Sequence, residues 1–323
     1  MQSLKEQQLK KFNLFTLAVL LATGFQNKSF ASAAALDPTR SVISEELALS
    51  LGRSIRYQTA SADPLIPISE HTQILPEIER VIYNAGSNNL VVFYDIDDCL
   101  TMPINPACLP CSYAKRHKAE FSSLTAHLSP VESSIVWNLK YTEHGARLTE
   151  PGIPDILKMI QESDVKTYGL TASMAGKIGD VTESNHRRRV AVLKDLGIDF
   201  GQRDLEFVFD EFPPFHESPP VYYNGVCFSQ TSGDHGSTTK GELIIALLRR
   251  LKMKPTHVML VDDSKRNLDR FDFDMKSHGI TPISVLYKSD EVHKDREISV
   301  AEYRATIADL VTKAKTATKR PMK

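Results

Sequence analysis

The run Leu90-Val91-Val92-Phe93-Tyr94 ends on Asp95-Ile96-Asp97-Asp98-Cys99-Leu100, and no other segment limits the fold as strongly. Five consecutive apolar or aromatic residues without polar alternation describe a strand buried on both faces, as in parallel sheets covered by helices. Asp95 and Asp97 then fall where that strand leaves the sheet, the edge at which open parallel sheets bind their ligands. Carboxylates this close repel each other unless a cation or a chemical task holds them together.

Other segments extend the pattern. Residues 72–84 carry Ile74, Leu75, Ile78, Val81 and Ile82 at helical spacing, and residues 151–161 place Ile153, Ile156, Leu157 and Ile160 on one face behind a first-turn proline. Val165 to Leu170 is a second apolar strand, ending at Thr171-Ala172-Ser173. A basic helix over 184–196 follows, and its Arg187-Arg188-Arg189 run reads as a solvated face, not a phosphate clamp. Extended segments over 205–229 precede a helix from Gly241 to Leu251. His257 to Val261 is a third strand, ending at Asp262-Asp263; Pro282 to Tyr287 is a fourth, and a helix over 299–314 leads into a basic tail. Strands alternating with helices predict an α/β fold, a Rossmann-like three-layer α/β/α parallel sheet. The proline-dotted stretch 101–150, with helical patches near 112–124 and 130–141, reads as an insertion over the sheet's carboxyl edge.

The amino terminus is built differently. Lys5, Lys10 and Lys11 precede an apolar stretch from Phe12 to Phe25, and Ala31-Ser32-Ala33 follows a polar patch. That order describes a secretory signal peptide over 1–33, too short for a comfortable membrane span of roughly 20 apolar residues. The expected organisation is therefore a leader, a lead-in over 34–70, the α/β domain over 71–300 with its insertion, and a carboxyl-terminal helix and tail over 301–323. Export, to the periplasm or beyond, leaves no stable span once the leader is removed. It also makes Cys99, Cys108, Cys111 and Cys227 an even set in an oxidising compartment, with three possible pairings and nothing in the spacing to choose among them. For Cys108 and Cys111, a local disulfide or two free thiols is favoured over redox chemistry. A formal net charge of −1 and the lack of an aromatic-interleaved basic patch give no sign of a nucleic-acid partner.

Four stations recur in order: Asp95-x-Asp97 after one strand, Thr171 after a second, Lys240 opening a helix, and Asp262-Asp263 after a third. The series, covering about 88–290, resembles the haloacid dehalogenase-like (HAD) superfamily of phosphohydrolases, and with its leader it looks most like an exported bacterial branch of unknown function. The resemblance implies a magnesium-dependent phosphatase acting on a phosphorylated substrate of unidentified class. Asp95 would be the nucleophile that forms an aspartyl-phosphate, and Asp97 the acid/base. Thr171, with Ala172 and Ser173, would bind the phosphoryl group, and Lys240 would balance charge between nucleophile and phosphate. Asp95, Asp97, Asp262 and Asp263 would surround Mg2+, with Asp262 the direct ligand of the acidic pair. The stretch 101–150 would be a small cap.

The chemistry agrees with those roles. Magnesium prefers hard oxygen ligands and bridges carboxylates to phosphate, turning repulsion between two anions into attraction. A cation at a helix start opposes the helix dipole, so Lys240 calls for negative charge nearby. Plainer readings exist for each residue: Asp97 and Asp98 as turn residues, Thr171 as a helix cap, Lys240 as an exposed lysine, and Asn267 as surface or an orienting side chain. A calcium loop fails, because its sixth and twelfth positions would be Leu100 and Pro106. Ser173 stands where many relatives carry arginine. Two other functions remain open at this stage: a catalytically silent relative binding a phosphorylated ligand or protein, and a phosphotransferase or phosphoprotein phosphatase acting on an envelope or host protein.

Overall fold

Leu90–Asp95 lies mid-sheet and is buried at every position, as its apolar run requires. The computed structural model describes residues 65–202, 204–215, 218–229 and 238–319, all within the unit Pro64–Lys323. The proposed leader and most of the lead-in lie outside the described residues. In chain order the strands are β1 (Leu65–Ile68), β2 (Leu90–Asp95), β3 (Thr101–Pro103), β4 (Ala146–Leu148), β5 (Lys166–Thr171), β6 (Glu206–Val208), β7 (Val221–Tyr223), β8 (Val226–Phe228), β9 (His257–Asp262) and β10 (Thr281–Tyr287). The helices are α1 (Leu75–Ala85), α2 (Lys118–Thr125), α3 (Pro130–Thr142), α4 (Ile153–Glu162), α5 (Asn185–Asp195), α6 (Lys240–Arg250), α7 (Lys265–Ser277), α8 (Asp290–His293) and α9 (Val300–Lys319).

Among the described residues, eight strands form one sheet in the order β1-β10-β9-β2-β5-β8-β7-β6. The strands from β1 to β8 in that order run parallel, and β7 and β6 extend the β8 edge antiparallel. The fold is thus α/β and Rossmann-like, with a mostly parallel sheet between helices. β1 was not expected: the last residues of the predicted lead-in join the sheet beside β10.

On one face, Leu243, Ile244 and Leu247 of α6 and Leu268, Phe271 and Met275 of α7 bury against Val91, Phe93, Leu170 and Leu260. On the other, α1 and α4 pack on β2 and β5 with their apolar stripes inward. Register then sets the site. Asp95 pairs with Leu170 and Tyr94 with Val261, so Asp95, Thr171 and Asp262 emerge within one residue of each other along the carboxyl edge. β2, between β5 and β9, carries the nucleophile candidate at the centre of that row.

The insertion leaves and returns at one point, because β3 and β4 pair antiparallel. Its helix α3 begins with a capping box, Ser129 and Glu132 bonding each other's backbone N–H. Ile135, Val136 and Leu139 of α3 pack against Met174 and Ile178, and against Tyr303, Ile307 and Leu310 of α9. The carboxyl-terminal helix is therefore part of the insertion's own core, not an appendage. No helix among the described residues is long and apolar enough to cross a membrane.

Gly169 explains how the loop that follows Asp95 fits against β5. A Cβ there would lie 2.8 Å from Phe200 Cε2 and 3.1 Å from Ile96 Cδ1, and Ile96 separates the two acids. Gly169→Ala is expected to overpack this contact and lower stability by about 1–3 kcal/mol, read as a lower midpoint in equilibrium urea unfolding.

Candidate active site

Lys240 owes its place to local sequence. Thr239 caps α6, its hydroxyl accepting from Glu242 N at 3.0 Å while its own N–H donates to Glu242 at 2.7 Å. That box fixes Lys240 at the first helical position, where its buried ammonium donates to Asp95 Oδ1 at 2.7 Å and to Asp262 Oδ2 at 2.6 Å. Burial pulls the Lys240 pKa down, but Asp262 and Asp95 outweigh it and hold it above the usual lysine range. Ile96 N donates to the same Asp95 Oδ1 at 2.9 Å.

Asp95, Asp262 and Asp263 each offer a carboxylate oxygen within 4.8 Å of the others. Three hard anionic donors facing one another suit a divalent cation such as magnesium. One lysine leaves this group with excess negative charge, and the excess shows in its proton affinity. Burial, then Asp262 and Asp98, push Asp263 up to about 7. Burial likewise raises Asp95, with Lys240 opposing and Asp262 and Asp263 adding to the rise. The acidic pair divides the work differently from the expectation. Asp262 accepts from Lys240, from Ser264 N at 2.8 Å and from Asn267 Nδ2 at 3.1 and 3.2 Å, so both its oxygens are engaged. Among the described residues no hydrogen-bond donor engages the Asp263 carboxylate, which makes Asp263 the more available ligand.

Asp97 lies outside that carboxylate group, contrary to its expected place around the metal. Its Oδ2 accepts from Thr171 Oγ1 at 2.8 Å and Ser173 Oγ at 3.1 Å, and its Oδ1 accepts from Arg189. The arginine run is thus not one solvated face. Arg187 is exposed and pairs with Glu206, Arg188 reaches the Thr142 carbonyl, and Arg189 is buried with its guanidinium 4.6 Å from the Tyr141 ring centre. Arg189 shares a buried helix face with His186, Val190 and Leu193, a spacing that marks it as inward-facing. Ala172, the remaining predicted phosphoryl contact, borders a cavity of about 230 Å³ together with Lys240, Ser264 and Asn267.

Behind the acids, the loop is strained and braced. Asp98 has φ 61, a left-handed conformation uncommon outside glycine, and its N–H donates to Thr101 O at 2.7 Å. The Cys99 carbonyl accepts from Thr149 Oγ1 at 2.6 Å and lies 3.2 Å from His71 Nε2. Burial lowers the His71 pKa to about 4. Lys140, on α3, is buried with its ammonium 4.1 Å from the Trp137 ring centre and 4.2 Å from that of Tyr113. Among the described residues that ammonium has no hydrogen-bond partner, and neither has Asp98 Oδ1. Burial lowers the Lys140 pKa against the opposing charge of Asp98, so the insertion presents an ammonium in an aromatic box to the Asp95–Asp98 loop. Sequence spacing gave no signal for that contact. All four cysteines are free and buried, so neither Cys99 nor the Cys108–Cys111 pair is bridged.

Residues 71–318 match the family described as protein of unknown function DUF2608. The chain belongs to that family. No curated protein matches the sequence. Among solved structures, the HAD domain of the effector protein Lem4 from Legionella pneumophila, in an inactive mutant, is similar with a TM-score of 0.32 and 11% identity, over 73% of this chain and 98% of that one.

Two outcomes follow for the metal-free DUF2608 protein. Lys240→Met leaves buried carboxylates without their cation and is expected to cost roughly 3–5 kcal/mol in urea unfolding at pH 7.5. Asp263 binds its proton more tightly folded than unfolded, so its contribution to stability is full below pH 4 and is lost as pH rises through 7. Asp263→Asn is therefore expected to stabilise by roughly 1–3 kcal/mol at pH 7.5 and to change little at pH 4, a difference that cancels the separate titration of His71.

Proposed function

We propose that this protein is a magnesium-dependent phosphomonoesterase in which Asp95 attacks phosphorus. The observation that carries the reading is Lys240 bridging Asp95 and Asp262 beside Asp263, whose carboxylate no donor among the described residues engages. A lone basic residue held between two buried acids costs desolvation energy, which is tolerable where an anionic substrate must be accepted next to an anionic nucleophile.

Asp95, Asp262 and Asp263 would hold Mg2+, which when bound neutralises phosphate charge and stabilises its increase in the transition state. The remaining work belongs to side chains. Lys240 and Ile96 N both engage Asp95 Oδ1, so Oδ2 is the oxygen available to attack. Attack forms the Asp95–phosphoryl bond and breaks the bond to the leaving oxygen, which takes a proton from Asp97. Asp97 then removes a proton from water, the water oxygen attacks phosphorus, and phosphate and the Asp95 carboxylate are released. The partners of Asp97 divide its two oxygens. A guanidinium can only donate, so Oδ1, held by Arg189, stays an acceptor. Hydroxyls both donate and accept, so Thr171 and Ser173 can turn to leave Oδ2 carrying the proton.

The same three donors favour a second reading, a site that binds a phosphorylated ligand without turnover, because they hold Asp97 as an acceptor. Hydrolysis of an aryl phosphate with magnesium separates the two. Asp95→Asn and Asp97→Asn are each expected to lower kcat by roughly 10³-fold or more with the circular dichroism spectrum unchanged. Phosphate binding by the wild-type chain with no turnover would overturn the enzyme reading, and full activity in Asp95→Asn would overturn Asp95 as its nucleophile.

A further inference from the structure

Asp98 follows the proposed acid/base directly and stands at φ 61, a backbone state that persists only where neighbours impose it. Those neighbours belong to the insertion. Asp98 N donates to the carbonyl of Thr101, the first residue of β3, at 2.7 Å. The Asp98 carboxylate accepts from the Tyr141 hydroxyl, and among charged groups Lys140 acts on it most strongly. The relation is mutual, since Asp98 is the charge that acts most on Lys140.

Both groups from α3 are held in place. Lys140 is buried, with its ammonium 4.1 Å from the Trp137 ring centre and 4.2 Å from that of Tyr113. Asn138 anchors the same helix, its Oδ1 accepting from Met174 N at 3.0 Å and from Asn185 Nδ2 at 2.9 Å. Tyr141 also reaches the acid/base from the far side. Its ring centre lies 4.6 Å from the guanidinium of Arg189, which bonds Asp97 Oδ1. Neither Lys140 nor Tyr141 belongs to the apolar cluster that α3 builds from Ile135, Val136 and Leu139, so packing there does not account for them.

We propose that Lys140 and Tyr141 are positioning residues for Asp97: by holding the Asp98 carboxylate they fix the turn that aims the neighbouring acid/base at the leaving oxygen. The proposal rests on the phosphatase reading and adds to it the part played by the insertion. Removing the ammonium strands a carboxylate that has lost its main opposing charge. The loop relieves that state by turning Asp98 towards water, and Asp97 moves with it.

The test is the dependence of kcat/KM on the leaving group, measured with magnesium and the full chain. 4-Nitrophenolate departs without a proton, whereas the alkoxide of benzyl alcohol needs one from Asp97. Because kcat/KM ends at the loss of the leaving group, the later step, in which Asp97 takes a proton from water, does not enter. Lys140→Met is expected to lose roughly tenfold more kcat/KM on benzyl phosphate than on 4-nitrophenyl phosphate. Tyr141→Phe, which lacks only the hydroxyl, is expected to lose roughly threefold more on the same comparison. Adding Asp98→Asn to Lys140→Met removes the stranded charge while keeping a residue that accepts a positive φ. The double variant is expected to return the ratio of the two substrates to within about threefold of wild type. Equal losses on both substrates, or a selective loss that Asp98→Asn does not repair, overturn the proposal and leave the phosphatase reading standing. Should Lys140→Met not fold, Tyr141→Phe decides: a substrate-selective loss upholds the proposal and an equal loss overturns it. If the wild-type chain hydrolyses neither phosphate, the phosphatase reading fails and the positioning role fails with it.

Discussion

The Lys240 ammonium, enclosed with Asp95 and Asp262, is the contact around which the carboxyl edge is organised. Bringing three charges out of water costs several kcal/mol per ion before their mutual attraction is counted, and buried charge sets of this kind are often replaceable by apolar residues without loss of stability. Stability alone therefore does not account for their presence at one point of an otherwise apolar sheet, which is why the proposed function rests on them. The fold supplies what the charges need. A capping box sets the lysine, strand register aligns the two acids, and Asn267 with Ser264 N occupies the remaining oxygen of Asp262. Among the described residues no donor bonds the Asp263 carboxylate, and burial, then the charges of Asp262 and Asp98, raise its proton affinity.

Much of this frame is legible in the chain itself. Unbroken apolar runs mark β2 and β9, β5 is a more mixed segment, and the polar residues that end each strand mark the stations of the site, because a parallel sheet has to put all its carboxyl ends on one edge. What escaped was whatever depends on contacts distant in sequence. Arg189 sits in a basic triplet that looks solvated until helix α5 turns one member inward onto Asp97. β1 is a short segment, Leu-Ile-Pro-Ile, whose strand character comes from the open edge of β10 beside it. The division between Asp262 and Asp263 turns on which donors reach each carboxylate, and adjacent acids look alike in a sequence.

The insertion is also more closely tied to the site than an added lid would be. Thr149, at its return, bonds the Cys99 carbonyl, and Lys140 faces the Asp98 turn from inside an aromatic box. Met174 and Ile178, just past the Thr171 station, belong to the same apolar cluster as α3 and α9. A shift of the insertion would thus be felt at both Asp97 and its hydroxyl partners, through packed side chains and not through solvent.

The four cysteines are unpaired and buried. Burial holds Cys99 and Cys227 well above the ordinary thiol range and Cys108 up to about 11, so the thiolate needed for oxidation is scarce. Nothing in the described fold depends on a crosslink. A reductant therefore has no bridge among the described residues to cut.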